Sequence, residues 1–373
     1  MSLRIQVLKL SLLACGLTSL ASCGKTIAPL DRSAQEAAPL PAAPACAAAQ
    51  VRQWHYVQPD ATVSHAVDLL FVVDTSASLN ERRRSLSMAI PEFLSRLPAQ
   101  TDTRIGVMLA HGPASQWSAR LFAPAGTPAV IDVSAVGTTE AARLLELNLG
   151  HPVADVDEAD GEMMMLSLTR SLETTRFAEI QAQGFYRPNA ALSVVFVTDE
   201  NDICYDPRQH GFTTFPDFKP SGDGSEDVAF ARYCTGVSPA ATLAALDQEF
   251  SGKVTLAGIL HSVPANVPVA SEEAIGHGIL ELLATDPDGI TLDLADDFQV
   301  GLTRLASVVS TQLDLLTSFG LPDPHPLVPG SISVKVDGHA VAGAITRGHR
   351  VQIPVQDAGA ARSLVDITAC AQE

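Results

Sequence analysis

Basic residues are scarce in this chain. Its 373 residues carry 24 Lys and Arg against 42 Asp and Glu, a formal charge of −18. Such a surface repels nucleic acid and anionic membranes, so neither is expected as a partner. Common catalytic signatures are missing as well. No Gly-x-Ser-x-Gly elbow and no His-Glu-x-x-His pair occurs, which excludes the commonest hydrolase and zinc-protease sites. Cysteine is limited to six positions without a Cys-x-x-Cys pair, so a redox motif or zinc ribbon is not expected. Asp286-Pro287-Asp288-Gly289 and Asp293 lack the ligand spacing of an EF-hand and read as a turn. Gly24-Lys25-Thr26 lacks the earlier glycine of a phosphate-binding loop. The ten histidines are scattered, and only His261, at the end of a strand, is worth watching. There are no internal repeats.

What is present begins with a leader. Arg4 and Lys9 precede a short apolar stretch, 10–20, which is too short to cross a bilayer. Leu20-Ala21-Ser22-Cys23 resembles a bacterial lipobox, which implies cleavage of a signal at 1–22 and acylation of Cys23. Gly24, rather than Asp, follows the cysteine, which by resemblance to the sorting rules of diderm bacteria leans towards the outer membrane. No later stretch is long enough to span, so the lipid would be the sole anchor. Residues 23–50, rich in Ala and Pro, read as a tether. With Cys15 lost and Cys23 acylated, Cys46, Cys204, Cys234 and Cys370 remain. An even number in an exported chain suggests two disulfides, with Cys204–Cys234 and Cys46–Cys370 preferred among three connectivities.

The most informative stretch is Val67-Asp68-Leu69-Leu70-Phe71-Val72-Val73-Asp74-Thr75-Ser76-Ala77-Ser78. Its unbroken apolar run suits a strand covered on both faces of a parallel sheet. The Asp-x-Ser-x-Ser turn then directs one carboxylate and two hydroxyls towards one point. Hard oxygen ligands suit a divalent cation, Mg²⁺ most naturally, with Mn²⁺ or Ca²⁺ possible. The plainer alternative is a strand followed by a Ser/Thr-rich helix cap. Ala191-Leu192-Ser193-Val194-Val195-Phe196-Val197-Thr198-Asp199 is a second buried strand ending in an acid.

Helices are expected over 80–97, 139–149, 162–177, 275–284 and 297–319, and strands over 103–110 and 253–261. In the first helix Leu86, Ile90, Phe93 and Leu97 form the apolar face, and Glu81, Arg82, Arg83 and Arg84 the polar one. Segments 120–123 and 129–133 read as a hairpin. The long stretch 200–237 reads as an insertion, stapled by its two cysteines, that would overhang the site or merely decorate it. From 321 to 373, alternating runs at 331–336, 350–355 and 363–369 predict a small C-terminal β extension.

These residues resemble the von Willebrand factor type A domain with its metal-ion-dependent adhesion site. The resemblance spans roughly 65–318 and implies a doubly wound, mostly parallel α/β sheet of Rossmann-like kind over 51–320. It implies that Asp74, Ser76, Ser78 and Asp199 hold the cation, and that a macromolecular partner, a protein or other envelope component, offers it a carboxylate. The family usually adds a Thr from the loop before its central helix. Here that loop reads Asp155-Val156-Asp157-Glu158-Ala159-Asp160-Gly161-Glu162. Either Glu162 or Asp160 replaces the Thr, or the site is degenerate; a solvated acidic helix start is the plainer reading of any one of them. Asp199-Glu200-Asn201-Asp202-Ile203-Cys204, with Gly184-Phe185-Tyr186-Arg187-Pro188 upstream, looks like a subgroup of such domains in secreted bacterial lipoproteins. No catalysis is required. The rival readings are a metal-dependent hydrolase or phosphotransferase, and a structural envelope protein without metal.

Overall fold

A computed structural model describes residues 50–59, 66–76, 78–97, 101–150, 152, 161–205, 225–250, 253–268, 273–322 and 326–371. Along the chain run β1 (Val51–Val57), β2 (Ala66–Val73), α1 (Asn80–Arg96), β3 (Asp102–Leu109), β4 (Val130–Asp132), α2 (Val133–Val136) and α3 (Thr138–Gly150). Then come α4 (Met164–Ser171), α5 (Thr174–Ala182), β5 (Ala191–Val197), α6 (Ser225–Tyr233), α7 (Pro239–Phe250) and β6 (Val254–Leu260). Next are α8 (Ile279–Ala284), β7 (Ile290–Asp293) and α9 (Phe298–Asp314). The chain closes with β8 (Ser318–Gly320), β9 (Ser333–Val336), β10 (His339–Ala340), β11 (Ile345–Arg347), β12 (Arg350–Gln352) and β13 (Leu364–Cys370).

The main sheet has the order β4-β3-β2-β5-β6-β7, parallel except for β4. This is the doubly wound α/β class expected from the sequence. Alternation along β2 explains its continuous apolar run. Val67, Leu69, Phe71 and Val73 pack with Leu86, Ile90 and Phe93 of α1 and with Leu305 and Val309 of α9. Leu70 and Val72 point the other way, into the core of Met164, Met165, Leu246 and Leu282. Both faces are dry, so each large side chain there contributes roughly 1.5–3 kcal/mol of burial.

Asp68 interrupts this run and is 1% exposed. Arg187 answers it: Nε donates to Oδ1 at 2.8 Å and the backbone N to Oδ2 at 2.8 Å. Nη1 also reaches Asp102 Oδ2 at 2.5 Å. The Gly184–Pro188 segment therefore clasps the amino ends of β2 and β3, away from the Asp74 end of the sheet. That is a structural role, consistent with a buried charge persisting only when paired.

Several expectations need correction. Segments 120–123 and 129–133 do not pair with each other; Leu121 bridges Met108 and β4 pairs with β3, so both lie along the third strand. The helix expected over 162–177 is two, α4 and α5, parted near Leu172–Glu173. That expected over 297–319 ends at Asp314, because Ser318–Gly320 pairs with β12 as a strand. The helix expected over 275–284 starts only at Ile279.

The boundary at 320 does not separate the two β systems from the α/β body. β1 pairs antiparallel with β13, from Val51 opposite Cys370 to Val57 opposite Leu364. Two small sheets result, β1-β13-β9-β10 and β11-β12-β8. They share a core of Phe319, Val334, Val351, Val365 and Ile367, with Trp54 and Tyr56 packed against it. This unit meets the body through Arg347 and Asp247 at 3.3 Å and through the Val355 N–H donating to Asp288 Oδ1 at 2.7 Å.

Cys204 and Cys234 form a disulfide, as preferred from the sequence. Cys370 is disulfide-bonded as well. Its expected partner Cys46, the lipidation residue Cys23, the leader 1–22 and nearly all of the tether lie outside the described residues, as does 206–224 of the insertion. Among the described residues no helix is long and apolar enough to cross a membrane.

Candidate metal site at the switch point of the sheet

From β2 the chain moves to β3 on one side, then returns to place β5 on the other. Loops leaving β2 and β5 therefore diverge, and the crevice between them lies beyond the carboxyl ends of the strands, where ligands bind in open α/β sheets. Asp74 follows β2 directly and Asp199 comes two residues after β5. The Asp74 N–H donates to Val197 O at 3.0 Å, which knits the two strand ends together.

Four of the five expected ligand residues converge. Asp74 Oδ1 accepts from the Ser76 N–H at 2.7 Å, and its Oδ2 accepts from Thr198 Oγ1 at 2.9 Å. Ser76 Oγ lies 3.0 Å from Ser78 Oγ and donates to Asp199 Oδ1 at 3.4 Å. Ser78 also hydrogen-bonds Asp199. Asp74 and Asp199 are buried, Ser76 is half-buried and Ser78 is exposed, so the cluster opens to solvent on the serine side.

Both carboxylates are harder to ionise here than in water. Burial, and next the neighbouring Asp199 charge, push Asp74 up to about 7 against the hydrogen bonds from Ser76 and Thr198. Asp199 is also raised, by burial first and by the Glu273 charge, while the Ser78 hydroxyl opposes the rise. Two like charges sharing a buried site disfavour their joint ionisation, and a positive ion would relieve this. The donors are all hard oxygens, so the set fits Mg²⁺, Mn²⁺ or Ca²⁺. Among the described residues no group of three or more His, Cys, Asp or Glu is placed to hold a metal; the set rests on two carboxylates and hydroxyls.

Glu162 is buried on the loop before α4, and its carbonyl accepts from the Ile203 N–H at 3.2 Å. It does not complete a three-carboxylate cluster with Asp74 and Asp199. Asp160 lies outside the described residues. The loop itself presses on the first one: a Cβ on Gly161 would fall 1.9 Å from Thr75 Oγ1, and Gly161 has φ +93°. His261 is buried at the end of β6, with Nε2 2.6 Å from Glu273 Oε2. The adjoining Ala274 N–H donates to Asp199 O at 2.8 Å, so segment 273–274 holds the second acid's loop.

Three contributors escaped the sequence reading. Thr198 ends the second strand run, and its hydroxyl donates to Asp74 from across the sheet, a contact no local pattern signals. His111 lies wholly buried beside Thr75, with Nε2 3.2 Å from its Oγ1. Arg83, expected on the solvent face of α1, is 1% exposed and donates from Nη1 to Asp74 O at 2.8 Å and Ser76 O at 3.2 Å. A signal did exist: Arg83 stands three residues before Leu86 and seven before Ile90, on the apolar stripe.

No known protein family matches the sequence, and no curated protein is significantly similar to it. Among solved structures it is similar to a von Willebrand factor type A protein from Catenulispora acidiphila, at 13% identity over 86% of this chain and 62% of that one, with a TM-score of 0.36. It is similar to the open conformation of pilus adhesin SpaC from Lactobacillus rhamnosus GG, at 13% identity over 86% and 42%, with a TM-score of 0.33. Proximal thread matrix protein 1 from the mussel byssus matches at 12% identity over 68% and 48%, with a TM-score of 0.32. The chain thus spans less than two thirds of the length of each. Likeness this distant carries no argument, and the site rests on its own geometry.

Proposed function

We propose that this chain is a lipid-anchored protein of the bacterial cell envelope, at the outer membrane. Its von Willebrand factor type A-like domain binds a protein or other envelope macromolecule through a divalent cation, most naturally Mg²⁺. The observation that carries this reading is the meeting of Asp74, Ser76, Ser78 and Asp199 at the switch point of the sheet. Bound there, the ion would offer an open coordination position to a carboxylate of the partner. The protein's own part is to hold the ligands. Thr198 orients Asp74, the Ser76 N–H fixes its other oxygen, and exposed Ser78 leaves the approach open. No nucleophile or general base is needed. Anchoring follows from Leu20-Ala21-Ser22-Cys23 and the Ala/Pro-rich stretch after it.

Calorimetric titration of Mg²⁺, Mn²⁺ and Ca²⁺ into the wild type and Asp74→Ala tests the reading. The wild type should bind at least one ion, and Asp74→Ala should bind none. A wild type that takes up no ion would leave a metal-free structural protein. Hydrolysis of a phosphate ester that depends on Asp74 would instead favour the enzyme. Capture of a partner from envelope extracts, lost on adding chelator, would complete the case.

A further inference from the structure

Three arginines stand in succession at the start of α1, and the helical turn treats them differently. Arg82 and Arg84 are exposed, whereas Arg83 is among the largest fully buried side chains of the protein. Its setting is unfavourable on two counts. A guanidinium out of water needs compensation, and a cation near a helix amino terminus opposes the helix dipole. Its side chain runs back towards the amino end, as helical geometry directs, and grips the two carbonyls of the Asp-x-Ser-x-Ser loop, Asp74 O and Ser76 O. The charges of Asp74 and Asp199 favour its ionised form against burial.

We propose that Arg83 is the resident counter-charge of the Asp74–Asp199 site. Held against the loop by the two carbonyls, it offsets the paired carboxylates from within the protein, whereas Ser78 is exposed. The loop therefore keeps its ligand-bearing shape whether or not an ion is present, and ion and guanidinium divide the compensation. The first half of this proposal concerns the protein alone; the second half, competition with an ion, rests on the cation reading above.

The first half is tested in chelator, by thermal unfolding of wild type, Arg83→Met, Arg83→Lys, Asp74→Asn and the double variant Arg83→Met/Asp74→Asn. Arg83→Met removes the charge while keeping most of the volume, and should lower Tm. Adding Asp74→Asn should recover at least half of that loss, because one of the charges needing compensation is gone. Arg83→Lys should stay near wild type. Simple additivity of the two single losses would overturn the proposal and reduce Arg83 to packing. Should Arg83→Met fail to fold, a cooperative unfolding transition in the double variant supports the proposal, and a double variant that also fails overturns it.

For the second half, Mn²⁺ is titrated into wild type and Arg83→Met. Removing a fixed positive charge beside a cation site should tighten Mn²⁺ binding by about tenfold. Unchanged or weaker binding in a folded Arg83→Met overturns the competition. A wild type that binds no Mn²⁺ at millimolar concentration instead sinks the cation reading, and the chelator experiment then decides the role of Arg83 alone.

Discussion

At the scale of single residues, chemistry is set by what lies one loop away. Asp74 belongs to the first loop, but its two oxygens are held by Ser76 from that loop and by Thr198 from β5. Removing Thr198 Oγ1 leaves a buried carboxylate oxygen without its donor. Thr198→Val, close in shape, should therefore destabilise the protein by about 1–3 kcal/mol in urea unfolding, and should weaken ion binding in calorimetry. Gly161 is constrained more directly. Both its φ of +93° and the nearness of Thr75 Oγ1 exclude a side chain. Gly161→Ala should cost at least 1 kcal/mol through the backbone alone, measured by urea unfolding, and the displaced first loop should lose ion affinity in the same titration. An unaltered variant would show that the two loops are not in contact. The glycine and the acidic residues around it were visible in the sequence; the Thr75 contact was not, because it joins positions 86 apart in the chain.

At the scale of elements, legibility followed the strength of local patterning. β2 and β5 were readable because eight and seven consecutive residues are almost all apolar and both run into an acid. The short elements were not. β4 and β8 have three residues each, too few for periodicity to show, and only pairing with β3 and β12 makes them strands. The stretch after β5 is stapled, as its two cysteines suggest: Cys204 and Cys234 are 30 residues apart and bonded. Loop-closure entropy for that separation is about 3.5 kcal/mol in the chain-entropy model. The double variant Cys204→Ser/Cys234→Ser should lose up to that amount in denaturant titration, and reduction of the wild type should lower its stability in the same direction. No loss in either would mean the bridge imposes nothing on the unfolded chain.

For the molecule as a whole, the body and the small β sheets are joined through buried acids, which makes stability depend on pH. Burial pushes Asp288 up to about 6 against the hydrogen bond from Val355, with the Asp286 charge adding to the rise. Between the ordinary carboxylate value of 3.8 and about 6 the folded form thus keeps a proton that the unfolded form does not. Stability from this group is greatest at low pH, declines through that window, and stays lower above it. Asp288→Asn should match the wild type near pH 4 and exceed it near pH 7, by at most about 3 kcal/mol. Equal stability of the two proteins at both pH values would remove Asp288 from the account.

The sequence by itself determined the parallel sheet, the two strand-to-acid junctions and the oxygen chemistry of the first loop, because each is written in contiguous residues whose burial pattern or spacing is local. Tertiary structure alone decided that β1 joins β13 across nearly the whole chain, that Arg83 turns inward under the site, and that Glu162 stands outside a carboxylate cluster. The physical reason is common to all three. Each depends on which surfaces exclude water together, and that choice is made between segments far apart in the sequence, where neither propensity nor periodicity reaches.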